Sequence, residues 1–171
     1  MLSICTERLT IHETDSDTVK PISEKNQAIG SSNLFSALSD NEEWFVFANK
    51  DALCALLSKL LSYEGNGEQL VYGIWLESTL IGYIGLKNHT APIPEIQIEF
   101  DPEYQHQGYG YEALSKMIDH FFVVGHKCLR YLVKPSNKAS IALVEKVGGQ
   151  LQPPDSEVER ILLRTYLIRS P

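Results

Sequence analysis

The chain has 171 residues and a formal net charge of -7, with 43% hydrophobic and 22% charged residues, which is the make-up of one globular domain with a core of its own. Acidity, which in many proteins serves only solubility, argues against non-specific nucleic-acid binding and suits a cationic ligand such as an amine. No apolar run approaches the roughly 20 residues that span a bilayer, no basic and apolar signal peptide opens the chain, and three widely spaced cysteines, Cys5, Cys54 and Cys128, form no metal pattern and read as reduced thiols of a cytoplasmic protein.

In chain order, Thr6–Glu13 predicts a first strand with Leu9 and Ile11 on one face. Residues 14–32 are polar, with Pro21 and Gly30, and read equally as a loop with a short helix beside a ligand site or as a surface insertion. Asn33–Ser39 is a short helical segment, broken at Asp40-Asn41-Glu42-Glu43; Trp44, Phe45 and Phe47 follow as core aromatics. Leu53, Leu56, Leu57, Leu60 and Leu61 form an apolar helical stripe in Asp51–Tyr63, ended by Gly65-Asn66-Gly67. Leu70–Leu76 and Leu80–Asn88 are two strands joined across Glu77-Ser78-Thr79, apolar enough to be central strands covered on both faces. Gly73, Gly82 and Gly85 within them leave room for another backbone or a ligand. Ala91–Pro94 is a rigid link.

The organising stretch follows. Glu95–Phe100 alternates polar and apolar residues, the period of a strand, and Asp101-Pro102 stops it. After Gly108, Leu114, Met117, Ile118, Phe121 and Phe122 fall on one helical face. A strand, a glycine-bearing loop and a helix put unpaired N–H groups and the positive end of the helix dipole beside a backbone that Gly108 and Gly110 leave open. That is an anion cradle suited to a diphosphate; two glycines also simply permit a tight turn. Cys128–Val133 is the next strand, parallel to the first by the handedness of such crossovers, and a cleft opens where the two diverge. Asn137 N-caps a further helix with Ala139, Ala142, Leu143, Lys146 and Val147 on one face and Gly148-Gly149 as its stop. Gln150–Glu159 is a polar loop with a short strand at its start, and Arg160–Ile168 is the closing strand.

Gln105-x-x-Gly108-x-Gly110, placed directly after a strand and Asp101-Pro102-Glu103-Tyr104 and followed by Tyr111-Glu112-Ala113-Leu114, resembles the acetyl-CoA-binding motif of the GNAT N-acetyltransferases. The branch it resembles especially includes the ribosomal-protein N-terminal acetyltransferases, whose opening strand is also similar to Glu7-Arg8-Leu9. The resemblance implies a single α/β domain of GNAT fold over residues 1–171, with a mixed, mostly antiparallel sheet flanked by helices. It implies acetyl-CoA as co-substrate and an amine acceptor, with direct attack and no metal. It further implies that backbone amides of His106, Gln107, Gly108, Tyr109, Gly110 and Tyr111 hold the diphosphate, that Ile98, Glu99 and Phe100 contact the cofactor, that Asn137 touches its arm, and that the arm lies in the cleft between the parallel strands. The segment with Trp44 would help to wall the acceptor pocket. A homodimer is suggested by family habit alone.

Acyl transfer to an amine needs a polarised carbonyl, a deprotonated amine and a stabilised leaving sulfur. A free backbone N–H around Ile98–Phe100 can serve the first need. Glu95 and Glu99 share the polar face of their strand, and a carboxylate at the start of this strand resembles the base position of some GNAT members, which favours Glu95. Both glutamates equally suit a solvent-facing or ion-paired role, and His106 and His120 are weaker base candidates. The tyrosine that many members carry seven residues after the asparagine is Val144 here; Ser140 matches the serine of the ribosomal-protein branch and is the candidate partner of the leaving sulfur. Tyr109, Tyr111 and Tyr166 are further hydroxyl donors. Gln97 stands where this branch often has glycine, which bears on the acceptor rather than the cofactor. The leading expectation is acetylation of a protein or peptide N-terminus; the alternatives are a polyamine or aminoglycoside acetyltransferase and a non-catalytic acyl-CoA-binding module.

Overall fold

The computed structural model describes residues 3–13, 69–154 and 162–171. The expectations for the polar segment, the Trp44 region and the helix at Asp51–Tyr63 lie outside the described residues. The strands are β1 (Ser3–Cys5), β2 (Leu9–Glu13), β3 (Gln69–Leu76), β4 (Thr79–Lys87), β5 (Glu95–Phe100), β6 (Cys128–Val133), β7 (Gln150–Leu151) and β8 (Arg164–Arg169); the helices are α1 (Tyr109–Val123) and α2 (Lys138–Lys146). The described strands form an open sheet in the order β1-β2-β3-β4-β5-β6-β8-β7. Neighbours are antiparallel except β5 and β6, the pair joined through α1. The sheet is therefore mixed and mostly antiparallel, the α/β architecture expected.

The expected first strand begins later, at Leu9, and a short strand that was not expected precedes it. Thr6–Arg8 turns the chain, with the Thr6 N–H donating to the Leu9 carbonyl and the Leu9 N–H donating back to the Thr6 hydroxyl, each at 2.9 Å, so β1 and β2 make a hairpin rather than a single strand from Thr6. Strand β4 is buried along nearly its whole length, as its unbroken hydrophobicity requires of a central strand. The core gathers Ile11 and Ile74 from β2 and β3, Ile84 and Leu86 from β4, and Met117 and Phe121 from α1. The Phe121 ring meets Tyr72 edge-on, with centroids 5.8 Å apart. Each such side chain, fully buried, is worth about 1.5–3 kcal/mol. The apolar face of α1 is the expected one, with Tyr109 and Ala113 added at its start.

For α2 the expected face is corrected. Ile141 and Val144 are its buried residues, while Ala139, Ala142 and Lys146 are exposed. The larger β-branched side chains gain more by burial than the alanines, and they set the rotation of this short helix. Asn137 is its N-cap, accepting from the Ser140 N–H at 3.0 Å. At the other end Gly149 is forced by space, because a Cβ there would lie 2.6 Å from Val144 Cγ2.

Glycines in the sheet also make room. A Cβ on Gly82 would lie 2.9 Å from the Phe100 ring, and Phe100 in turn reaches Gly110 of α1. Gly82 thus lets Phe100 lie flat between the sheet and the first turn of the helix. Strands β5 and β6 share one register pair, Glu95 with Arg130, where the Arg130 N–H donates to Pro94 O at 2.8 Å. Beyond it the two strands part.

Candidate functional site

The parting of β5 from β6 exposes backbone groups whose identity follows from one hydrogen bond. Asp101 N–H donates to Ile81 O at 2.9 Å, one step past the Gly82–Phe100 pair. In an antiparallel pair these bonds recur at every second residue, so Glu99, Gln97 and Glu95 turn their N–H groups to β4. Ile96, Ile98 and Phe100 turn theirs toward β6. Ile96 lies next to the shared pair, and Ile98 and Phe100 lie beyond it, facing the gap. The Phe100 carbonyl is occupied by the Gln105 side-chain amide at 3.0 Å.

The loop at the end of β5 is built by a short 3-10 turn, Pro102–Tyr104, capped by the buried Asp101 carboxylate on the Glu103 N–H. His106 and Gly108 both have positive φ, 59° and 86°, and Gly108 is the N-cap of α1 without a capping side chain. Among the described residues the first intrahelical N–H bond of α1 is Glu112 to Gly108 O, so the amides of Tyr109, Gly110 and Tyr111 have no protein acceptor. The side chains around them are tied back. Gln107 donates to Glu103 O at 2.7 Å, Tyr109 is buried beneath the Arg8 guanidinium, and Tyr111 lies under Lys146 Nζ. The amides at the start of α1 are therefore left open, beside the exposed His106.

Alternation along β5 puts Glu95, Gln97 and Glu99 on one face and Ile96, Ile98 and Phe100 on the other, toward α1. Burial pushes the Glu99 carboxyl up to about 7. It stands opposite Tyr83 of β4, whose phenol is raised by its own burial and then by the Glu99 charge. Glu95 sits 3.9 Å from Lys87 Nζ. Gln97 is paired with Gly85 and lies across it: a Cβ on that glycine would be 2.6 Å from Gln97 Nε2. The Gln97 side chain thus lies over β4 on the same face as Glu95 and Glu99.

Across the gap and on the α1 face, the Tyr131 hydroxyl of β6 is 2.8 Å from Ser140 Oγ in the first turn of α2. Burial pushes the Tyr131 phenol up to about 12, the Ser140 hydrogen bond opposes that, and the Glu99 charge adds to it. Tyr131 was not among the residues read from the sequence, although the alternation of β6 buries it with Leu129 and Val133. Val144, where a tyrosine is usual, is fully buried in the core. Tyr166 donates its hydroxyl to Glu145, His120 is half-buried with its imidazole lowered by burial, and His106 is exposed. The described residues hold no cluster of three or more His, Cys, Asp or Glu able to bind a metal, and no helix among them is long and apolar enough to cross a membrane.

The sequence matches the family model described as an acetyltransferase (GNAT) domain over residues 31–150. Among solved structures the chain is similar to the Salmonella typhimurium acetyl transferase that modifies the N-terminal serine of 50S ribosomal subunit protein L7/L12, at 15% identity and a TM-score of 0.67 over 97% of each chain. It is similar to Mycobacterium smegmatis RimJ in complex with CoA-disulfide, at 18% identity and a TM-score of 0.64 over 95% of this chain and 82% of that one. It is also similar to a spermidine N-acetyltransferase from Vibrio cholerae in a dodecameric structure, at 17% identity and a TM-score of 0.62 over 95% and 94%. At these identities the likeness is one of fold. No curated protein matches the sequence.

Proposed function

This chain belongs to the GNAT acetyltransferase family, whose members use acetyl-CoA, and on that premise we propose that it transfers acetyl to the α-amine of a protein or peptide N-terminus as one domain over residues 1–171. The observation that carries this reading is the half-buried carboxyl of Glu99 on the polar face of β5, which partial burial pushes up to about 7. An α-ammonium titrates near 7.7–8.0 and an alkyl ammonium near 10.4. A base at about 7 takes a proton from the first almost without cost and from the second only steeply uphill.

The residues present fit the cofactor. Unpaired amides of the first α1 turn, the glycine at positive φ and the loop backbone suit a diphosphate, and the gap between β5 and β6 suits an extended arm that borrows the Ile98 C=O and the Phe100 N–H. Bound there, acetyl-CoA supplies the activated thioester. In this reading His106 to Tyr111 hold the diphosphate through backbone, Ile98, Glu99 and Phe100 line the arm, and Asn137 bounds it while capping α2. The Ile98 N–H is the donor for developing negative charge on oxygen. The protonated Tyr131 donates to Ser140 Oγ, which leaves the Ser140 O–H free for the leaving sulfur. Glu99 takes the amine proton from the opposite face of the sheet. Glu95, where β5 meets β6, is the second base candidate, and the two glutamine variants separate them.

A small amine is the second reading, supported by likeness to the spermidine enzyme. Incubation with acetyl-CoA and a mixed panel of peptides, polyamines and aminoglycosides, read by mass spectrometry, tests both. Acetylated peptide N-termini are expected. A modified polyamine or aminoglycoside selects the second reading, and cofactor binding without any product selects an acyl-CoA-binding module.

A further inference from the structure

Arg8 lies in the turn between β1 and β2, far in sequence from the loop that precedes α1, yet its guanidinium is tied into that loop at every edge. Nε donates to Glu112 Oε2 at 2.8 Å, and Nη2 lies 2.7 Å from the same oxygen. Nη1 donates to the Gln107 carbonyl at 3.2 Å. The plane covers the Tyr109 ring, 4.4 Å from its centroid. The Arg8 backbone N–H donates to Glu112 Oε1 at 2.8 Å, and the Thr6 hydroxyl donates to that oxygen too. Burial works to raise the Glu112 carboxyl, but the Thr6 and Arg8 hydrogen bonds and the Arg8 charge prevail and hold it below the usual carboxylate range. The arginine charge is thus already matched by a carboxylate, so its use at the loop is geometric.

The geometry acts on one peptide. The Gln107 carbonyl and the Gly108 N–H belong to the same peptide unit, and the described residues contain no cis bond. In a trans peptide these two groups point in opposite directions. Turning the carbonyl to Arg8 therefore turns the Gly108 N–H away from it. Glycine at this position has the rotational freedom to flip that plane, and the Arg8 bond to the carbonyl opposes the flip. We propose that Arg8 is a positioning residue for the cofactor loop: by fixing the Gln107 carbonyl it aims the Gly108 N–H at the diphosphate of CoA. The inference rests on the reading of this loop as the diphosphate cradle.

Calorimetric titration of the full chain with CoA and with pantetheine, which lacks the diphosphate, tests it, together with the Gly108 amide resonance followed by NMR. Arg8→Ala and Arg8→Lys are both expected to weaken CoA by about tenfold or more, the scale of a lost hydrogen bond to a charged group. Pantetheine binding stays within about twofold, and the CoA-induced shift of the Gly108 amide collapses. Lysine keeps the charge but cannot reach Glu112 and Gln107 together, so an Arg8→Lys protein that binds CoA like the parent overturns the proposal. Equal weakening of CoA and pantetheine overturns it as well, since that is general damage to the fold. Glu112→Gln keeps the side chain's size and loosens the guanidinium; it must show the same selective loss, and it serves if the Arg8 variants do not fold. A parent protein that binds CoA no more tightly than pantetheine overturns the cradle reading itself, and this inference with it.

Discussion

Glu99 stands directly opposite Tyr83 in the β4–β5 ladder, a carboxyl held up at about 7 by burial beside a phenol kept protonated by burial and by that carboxyl's charge. A group titrating there is half-ionised at neutral pH and is matched to proton abstraction. Activity of the parent protein should rise with pH through about 7 and then level. Glu99→Gln should lower kcat by about 10²–10⁴-fold and abolish that rise. Glu95→Gln, at the closed end of the gap beside Lys87, should cost only a few-fold on the order of one lost surface ion pair. Steady-state rates against pH for the three proteins check this, and the reverse ranking would move the base to Glu95.

The same carboxyl makes stability depend on pH. Its folded value lies above that of an unfolded glutamate, near 4.3, so between about 4.3 and about 7 the native chain binds more protons than the unfolded one. Stability contributed by the protonated form is full below that window and is lost as pH rises through it. Glu99→Gln should remove this loss, leaving the variant more stable than the parent at pH 8 by up to about 3 kcal/mol. Melting curves at pH 5 and pH 8 give the answer.

Tyr131 and Ser140 act as one unit in the proposed chemistry. Ser140→Ala and Tyr131→Phe should each lower kcat by about tenfold, the scale of a single hydrogen bond to developing charge. The double variant should be little worse than either, because each single change already breaks the 2.8 Å contact. Additive losses in the cycle would mean that the two hydroxyls work separately.

Gly82→Ala tests the seat of Phe100. The new Cβ would lie 2.4 Å from Glu99 O and 2.9 Å from Phe100 Cδ1, so β5 or the ring must shift. A loss of about 1–3 kcal/mol is expected in chemical denaturation, typical of overpacking, with weaker CoA binding because Phe100 also supports Gly110.

Much of this was legible beforehand where burial has a period. Glu95–Phe100 alternates because one face meets α1, and α1 shows its stripe because the other side meets solvent; both elements stand where the sequence placed them. Asn137 was legible as a cap because capping is local. The Thr6–Arg8 turn was hidden, since a hairpin made by one hydroxyl and one carbonyl leaves the apolar alternation of Leu9 and Ile11 intact. The partnership of Tyr131 with Ser140 was hidden for another reason: alternation tells which face a residue is on, not which hydroxyl a helix in the next crossover brings to it. That Gln97 lies across Gly85 was hidden too, because its own strand says nothing of the residue opposite it in the ladder.

Strands β5 and β6 pair in register at Glu95 and Arg130, and their ladder runs no further. Mechanically, that single contact is a zip fastener closed by one tooth. The half-sheet of β6, β8 and β7 is joined to the rest at one end of a seam, and two strand margins lie open inside the molecule instead of at its rim. Amides along the seam should exchange with solvent sooner than those of β4, and a ligand lying in it would slow them on both sides at once. In the proposed reading, the extended arm of the cofactor finishes the row of sheet bonds that this seam leaves open.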